Sequence, residues 1–194
     1  MQLLTSEPAA LPVSVADLES YLNGTDDGFY GVALQMAGEY FVTDTGIELL
    51  ERDYTGRLIR NQNVATGIQQ ISRNQSAWAD LPRWPVVSIN SMTADGVTVA
   101  TPEVDKTVKP ARLYIGGAQD VTIEVRFGHN STGSGSGHGH GHDSVSIDER
   151  ICTAILMLAG FIVEHRGACD LAEAACKSGA AMLMNQLRLN RIAL

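Results

Sequence analysis

The strongest periodic signal in the chain is at residues 121–127. Val121, Ile123, Val125 and Phe127 alternate there with Thr122, Glu124 and Arg126. A period of two with one apolar and one polar face predicts a strand wetted on one side. Residues 86–92 read as an earlier strand, Asp95-Gly96 as a hairpin turn, and Val97-Thr98-Val99 as the return. Both prolines of Leu81-Pro82-Arg83-Trp84-Pro85 bias the residues before them away from helix, so this stretch enters the strand extended. Residues 112–115, followed by Gly116-Gly117, predict a second pair with 121–127. Residues 47–59 alternate poorly. Leu49-Leu50 and Tyr54-Thr55 suit an edge strand or ribbon, and the Asn-, Gln- and Ser-rich stretch 61–79 reads as a long loop with at most one helical turn.

Helical patterning flanks these strands. Ser14 with Asp17 three residues on forms a capping-box start, with Val13 and Leu18 placed as its hydrophobic staple and Asn23-Gly24 as the stop. A second helix is expected from Asp26-Asp27, whose acids complement the helix dipole, to just before Gly46. Tyr30, Ala33, Leu34, Ala37 and Phe41 lie on one of its faces. Ser146-x-x-Glu149 is a full capping box before a third helix. Ile151, Ile155, Leu158 and Ile162 form one face of it, and Leu156, Phe161 and Val163 fill the others, a pattern that predicts central burial. A last helical region runs from about Asp170 toward Arg191, with a break expected at Ser178-Gly179. Strands grouped between helices point to an α+β fold: N-terminal helices, a small antiparallel sheet and C-terminal helices around one core, then an extended C-terminal segment. The expected division is a single domain over 1–178, with a flexible Gly/Ser/His segment at about 129–144, and a C-terminal helix and tail over 179–194. No internal repeat is present.

Composition narrows the function classes. The 194 residues are 44% hydrophobic and 19% charged, enough to bury roughly 70% of the unfolded surface without staples. A formal net charge of −8 argues against electrostatic capture of nucleic acid or an anionic membrane. Three cysteines do not make a secreted disulfide framework. No signal-peptide pattern opens the chain, and the one long uncharged stretch, 151–163, would span roughly 20 Å as a helix, short of a bilayer core. The expectation is a soluble, intracellular protein.

Candidate chemistry is sparse. His138, His140 and His142, separated by single glycines with Asp143 adjacent and His129 upstream, could converge on a borderline metal such as Zn²⁺ or Ni²⁺. Glycine supplies no rigid second shell, so the simpler reading is a solvated loop with adventitious metal affinity. Cys169 and Cys176, if on one helix, are about 10 Å apart in rise, beyond disulfide reach, and Cys152 reads as a small core residue. His165 and Arg166, beside Glu164, read as caps on helix carbonyls. Phosphate-loop, nucleophile-elbow and zinc-protease patterns are absent from the sequence, which calls for no cofactor and no enzyme.

The order of the segments resembles the tailed-bacteriophage head–tail connector family, the adaptor or head-completion proteins. The resemblance covers most of the chain: two short N-terminal helices, Thr45-Gly46 and a strand, Leu81-Pro82-x-x-Pro85-Val86-Val87-Ser88-Ile89, the Asp95-Gly96 turn, a Val-Thr-Ile-Glu-Val-x-Phe-Gly strand ending at Gly128, a helix closing on Glu164-His165-Arg166, and Ser178-Gly179-Ala180-Ala181-x-Leu183 through Arg188. A Gly/Ser/His insertion stands where the family usually has a short loop.

The resemblance implies a non-enzymatic homo-oligomeric ring, typically of twelve subunits, assembled in the host cytoplasm and placed at the virion neck. Its implied partners are the portal protein on one side and a stopper or tail-terminator protein on the other, with genomic DNA passing through the lumen and no membrane. It further implies that the C-terminal segment inserts into the portal, with Arg188 and Arg191 as its charges and Leu187, Leu189, Ile192 and Leu194 as apolar anchors. The alternatives are a tail carrying those residues packed on its own domain, a tail-completion or terminator protein of the virion, and a metal-binding protein built on His138, His140 and His142.

Overall fold

The computed structural model describes residues 2–4, 11–26, 28–59, 77–129, 147–166 and 170–188. The chain sorts into two compact units, each drawn from separate stretches of sequence. A sheet unit comprises Met1–Ser6, Glu51–Gly128 and Leu189–Leu194, and a helical unit comprises Glu7–Leu50 and His129–Arg188. The described residues contain five helices and two antiparallel sheets, an α+β fold.

In the sheet unit, β1 (Gln2–Leu4), β2 (Arg52–Ile59), β4 (Val86–Ala94), β5 (Val97–Thr98) and β8 (Asp120–Phe127) form a sheet of order β1-β2-β8-β4-β5. β3 (Trp78–Asp80), β6 (Val104–Asp105) and β7 (Arg112–Tyr114) form a second, of order β3-β7-β6. The alternation in β8 holds: Val121, Ile123, Val125 and Phe127 are buried, each worth about 1.5–3 kcal/mol on transfer from water. They share one core with Tyr54, Leu58 and Met92 and with Leu81, Leu113 and Ile115. Tyr54 meets Phe127 edge-to-face at 5.7 Å.

Three strand expectations are corrected. The stretch 61–79, read as a loop, ends in strand, since Trp78 and Ala79 belong to β3 and pair with β7, while 61–76 lie outside the described residues. β2 is interior, not an edge, since it pairs with β1 on one side and with β8 along its whole length on the other. Residues 112–115 do not pair with β8. The sides of β8 are taken by the long registers of β2 and β4, and the short β7 pairs instead with β3 and β6. Trp78 and Tyr114 pack edge-on across β3 and β7, ring centroids 5.2 Å apart. The hairpin turn stands where expected, with Asp95 at φ 49° and Gly96 at φ 80°. Two successive left-handed residues match the twist of the flanking strands. The Asp95 carboxylate also accepts the Gln119 and Asp120 N–H groups, at 2.9 and 2.8 Å, tying the turn to the start of β8.

In the helical unit, α1 (Val15–Leu22) opens on the expected Ser14/Asp17 capping box and closes on left-handed Asn23. α2 (Tyr30–Thr45) begins later than Asp26. The Asp26 carboxylate instead accepts the Gly28 and Tyr30 N–H groups from outside the helix. α3 (Glu149–His165) has Asp148 as its N-cap, not Ser146, which lies outside the described residues; Asp148 Oδ1 accepts the Arg150 N–H at 2.9 Å. α4 (Leu171–Ser178) and α5 (Ala180–Leu187) are separated at Gly179, φ 82°, the expected break, although α5 ends at Leu187, short of Arg191. α3 packs against the other four helices. Its burial is nevertheless one-sided: Ile151, Ile155, Leu158 and Ile162 are buried, Leu156, Phe161 and Val163 half-buried, and Thr153 exposed. Gly160 marks its close approach to α1, where an added Cβ would lie 3.1 Å from the Tyr21 ring. No described helix is long and apolar enough to cross a membrane.

Candidate docking surface

The C-terminal end of α5 is held on its own unit. The Arg188 backbone N–H donates to the Met184 carbonyl at 2.7 Å, and its guanidinium donates to both carboxylate oxygens of Asp44 at 2.6 Å. Asp44 lies one helical turn beyond Tyr40 on α2, so the contact joins the last turns of α2 and α5. The bond to Asp44 raises the Arg188 pKa. The Tyr40 hydroxyl is pushed above its ordinary value, first by burial and then by Asp44, Asp170 and Cys176, with Arg188 opposing. Of the six residues expected to dock, Leu187 is half-buried and Arg188 is exposed and bonded to Asp44. Leu189, Arg191, Ile192 and Leu194 lie outside the described residues, as do His138, His140 and His142.

His129, read from the sequence as an outlier of the histidine cluster, is a buried residue. Its Nδ1 lies 2.9 Å from the Glu48 carbonyl oxygen and donates to it. His165 does cap, with Nδ1 3.0 Å from the Phe161 carbonyl and its ring stacked on Phe161 at 3.9 Å. The Arg166 guanidinium lies over the Phe29 ring, 5.7 Å from its centroid. Cys152 is half-buried, and burial raises its thiol pKa; Cys176 is exposed on α4, while Cys169 lies outside the described residues. No group of three His, Cys, Asp or Glu among the described residues is arranged to hold a metal ion.

Charge divides sharply between the units. Within the bounds of the helical unit the sequence has fourteen Asp and Glu against four Lys and Arg, a net −10; within those of the sheet unit it has eight against ten, a net +2. Residues 1–50 contain no Lys, Arg or His at all. On the outer face of α2, Val32 and Met36 are exposed at 51% and 39%. They are four residues apart and therefore adjacent on the helix surface. Sequence reasoning followed the buried face of α2 and passed over this one. Its signal was present: two apolar residues at helical spacing in a stretch without a base.

No protein-family model matches the sequence, and no curated protein does. Solved structures match over nearly the full length. A chain of the virion of a native gene transfer agent (GTA) particle shares 18% identity, with 99% of this chain and 97% of that chain covered and a TM-score of 0.66. A chain from the neck of the native GTA particle, computed with C12 symmetry, shares 18% identity at the same coverage, TM-score 0.65. A third, from the neck of the empty GTA particle computed with C6 symmetry, shares 19%, again over 99% and 97%, TM-score 0.63. The likeness is one of fold across both units.

Proposed function

We propose that this chain is a structural protein of the neck of a tailed particle, one copy in a ring, of twelve subunits, that joins the head portal to the tail. The observation that carries the reading is the end-to-end fold match to chains from necks with C12 and C6 symmetry. Chemistry agrees with it. Asp148 caps a helix, Arg57–Asp120, Arg126–Asp53 and Arg188–Asp44 form ion pairs, and the net charge of −8 suits a conduit that must release DNA. A basic wall would hold the phosphate backbone through counterion release. In this reading Leu187, Arg188, Leu189, Arg191, Ile192 and Leu194 dock on the portal, and a stopper or tail-terminator protein takes the opposite side of the ring.

The test is localisation in particles. An epitope-tagged full chain should co-purify with heads that carry a portal and appear by electron microscopy at the head–tail junction. Label confined to the tail tip, or absent from purified particles, would overturn the reading. A chain lacking 189–194 should keep its helical circular dichroism and fail to join particles. Normal incorporation of that folded, shortened chain would move portal docking elsewhere on the molecule.

A further inference from the structure

A ring repeats one contact around an axis, so it joins two different patches of the same chain, one from each neighbour. We infer that these patches are the outer face of α2 on one copy and a basic corner of the sheet unit on the next. The inference rests on the ring reading and specifies its interface.

On α2, Val32, Met36, Glu39 and Thr43 follow one another at alternating spacings of four and three residues, which places them on a single stripe. Val32, Met36 and Thr43 are exposed, and Glu39 is half-buried, its Oε1 accepting from Gln35 at 3.2 Å. The stripe is apolar in its first half and carries a carboxylate and a hydroxyl in its second, in a unit of net −10.

The corner has the complementary character. Val87, at the start of β4, is 36% exposed, and Lys106 Nζ lies 2.8 Å from the Val87 carbonyl oxygen. Lys109 Nζ sits 3.8 Å from the centre of the half-buried Trp84 ring, with Arg83 adjacent in sequence. The chain contains three lysines, and two are here. The nearby Asp105 carboxylate accepts from the Thr107 N–H at 2.9 Å and hydroxyl at 2.5 Å, which engages its Oδ1 locally. An exposed valine with one ammonium group at its carbonyl, beside an aromatic ring with another on its face, suits an apolar helix face that also carries a carboxylate. The face of α2 is such a surface. Opposite charge on the two patches also discriminates against like-to-like pairing, which would place acid on acid and base on base.

The experiment uses full-length chain and charge exchange. Three variants are compared with the wild type: Lys106→Glu with Lys109→Glu, Glu39→Lys, and all three substitutions together. Circular dichroism checks the fold of each. Self-association is read by sedimentation over a concentration series and by occupancy on portal-bearing heads. Each partial exchange should weaken association by about tenfold or more, and the combined exchange should recover it. A carbodiimide cross-link from Glu39 to Lys106 or Lys109 should form between isotopically light and heavy chains in a mixed sample. If wild type associates and all variants associate equally, the faces are wrong and the ring stands. If wild type associates neither alone nor on heads, the ring reading falls, and this inference with it. Unchanged association with lost retention of duplex DNA in the lysine variant would assign the corner to DNA and overturn the inference.

Discussion

Arg57 reaches Asp120 and Arg126 reaches Asp53 through paired hydrogen bonds of 2.5–2.9 Å between residues 63 and 73 positions apart in sequence. Each arginine pKa is raised and each aspartate pKa lowered by its partner. In the helical unit the acids act locally. Asp17 completes the Ser14 capping box, Asp148 caps α3 and pairs with Arg150, Asp170 caps α4, and Glu173 meets Lys177 one turn on. Arg188–Asp44 crosses between helices there. The sheet unit thus neutralises its wet face by pairing strands, because a strand sets acid and base of different segments side by side. Helix N-termini attract acids without needing a base, because the unpaired N–H groups and the dipole act as the cation. A unit built on such termini can accumulate negative charge at little local cost. That excess is what a basic neighbour can recognise.

The sharpest way to separate the two regions is to damage each core in turn. Phe127→Ala should cost about 3–5 kcal/mol in the sheet unit, and Ile155→Ala about 2–5 kcal/mol in the helical unit, since both side chains are fully buried. Trp78 and Trp84 both lie in the sheet unit and are the only tryptophans, so fluorescence follows that unit while far-ultraviolet circular dichroism follows chiefly the helices. In urea, Phe127→Ala should move the fluorescence midpoint more, and Ile155→Ala the dichroism midpoint more. Coincident shifts in both signals for both variants would show one cooperative block and dissolve the comparison.

Cap removal should have the next largest effect, and only in the helices. Ser14→Ala and Asp148→Ala should each cost about 1 kcal/mol, read from the dichroism transition. The Asp148 carboxyl is held at about 2, below its ordinary 3.8, chiefly by its hydrogen bond to the Arg150 side chain and then to the Arg150 N–H. A depressed folded-state pKa stabilises fully above the unfolded value and loses that contribution as pH falls through the folded one. The gap between wild type and Asp148→Ala should therefore be constant above pH 4 and shrink from there toward pH 2. A constant gap down to pH 2 would remove the electrostatic account of this cap.

Arg188→Ala should have the smallest effect on stability, a few tenths of a kcal/mol and less in high salt, because the Arg188 side chain is about half exposed and the pair is screened by solvent. A loss above about 1 kcal/mol would mean that the contact with Asp44 holds α5 in place. In that case Arg188 would be a poor candidate for an outside partner.

Several local features were legible in the residues themselves. The Ser14 box, the stop at Asn23, the halt before Gly46, the break at Gly179, the Asp95-Gly96 turn and the alternation from Val121 to Phe127 all stand where the pattern places them. Each is decided within a few residues by a cap, a left-handed backbone or a strand period. Boundaries failed where two local signals competed: Ser146 and Asp148 both suit an N-cap, and Asp26 serves as well from outside α2 as within it. The docking candidates were less legible. A resemblance pointed to residues 187–194, whereas the exposed stripe of α2 lay on the face opposite the predicted buried one, and its exposure was confirmed only by the fold.

The sequence by itself determined the five helices and the longer strands, because those choices rest on propensity, capping and period within one turn or one hairpin, while the short β1, β3 and β6, too brief to show a period, needed a partner strand to define them. Tertiary structure alone decided how the strands pair. The pattern at 121–127 specifies a half-wet strand but not its neighbours, since every strand offers the same backbone donors and acceptors. Competition for the two sides of β8 put β2 inside the sheet and sent β7 to β3 and β6. It was also tertiary structure that assembled each unit from separated stretches and so segregated the charge. The base-free residues 1–50 already mark one acidic stretch, but a sum of −8 does not say which later stretches share its unit until the fold assigns them.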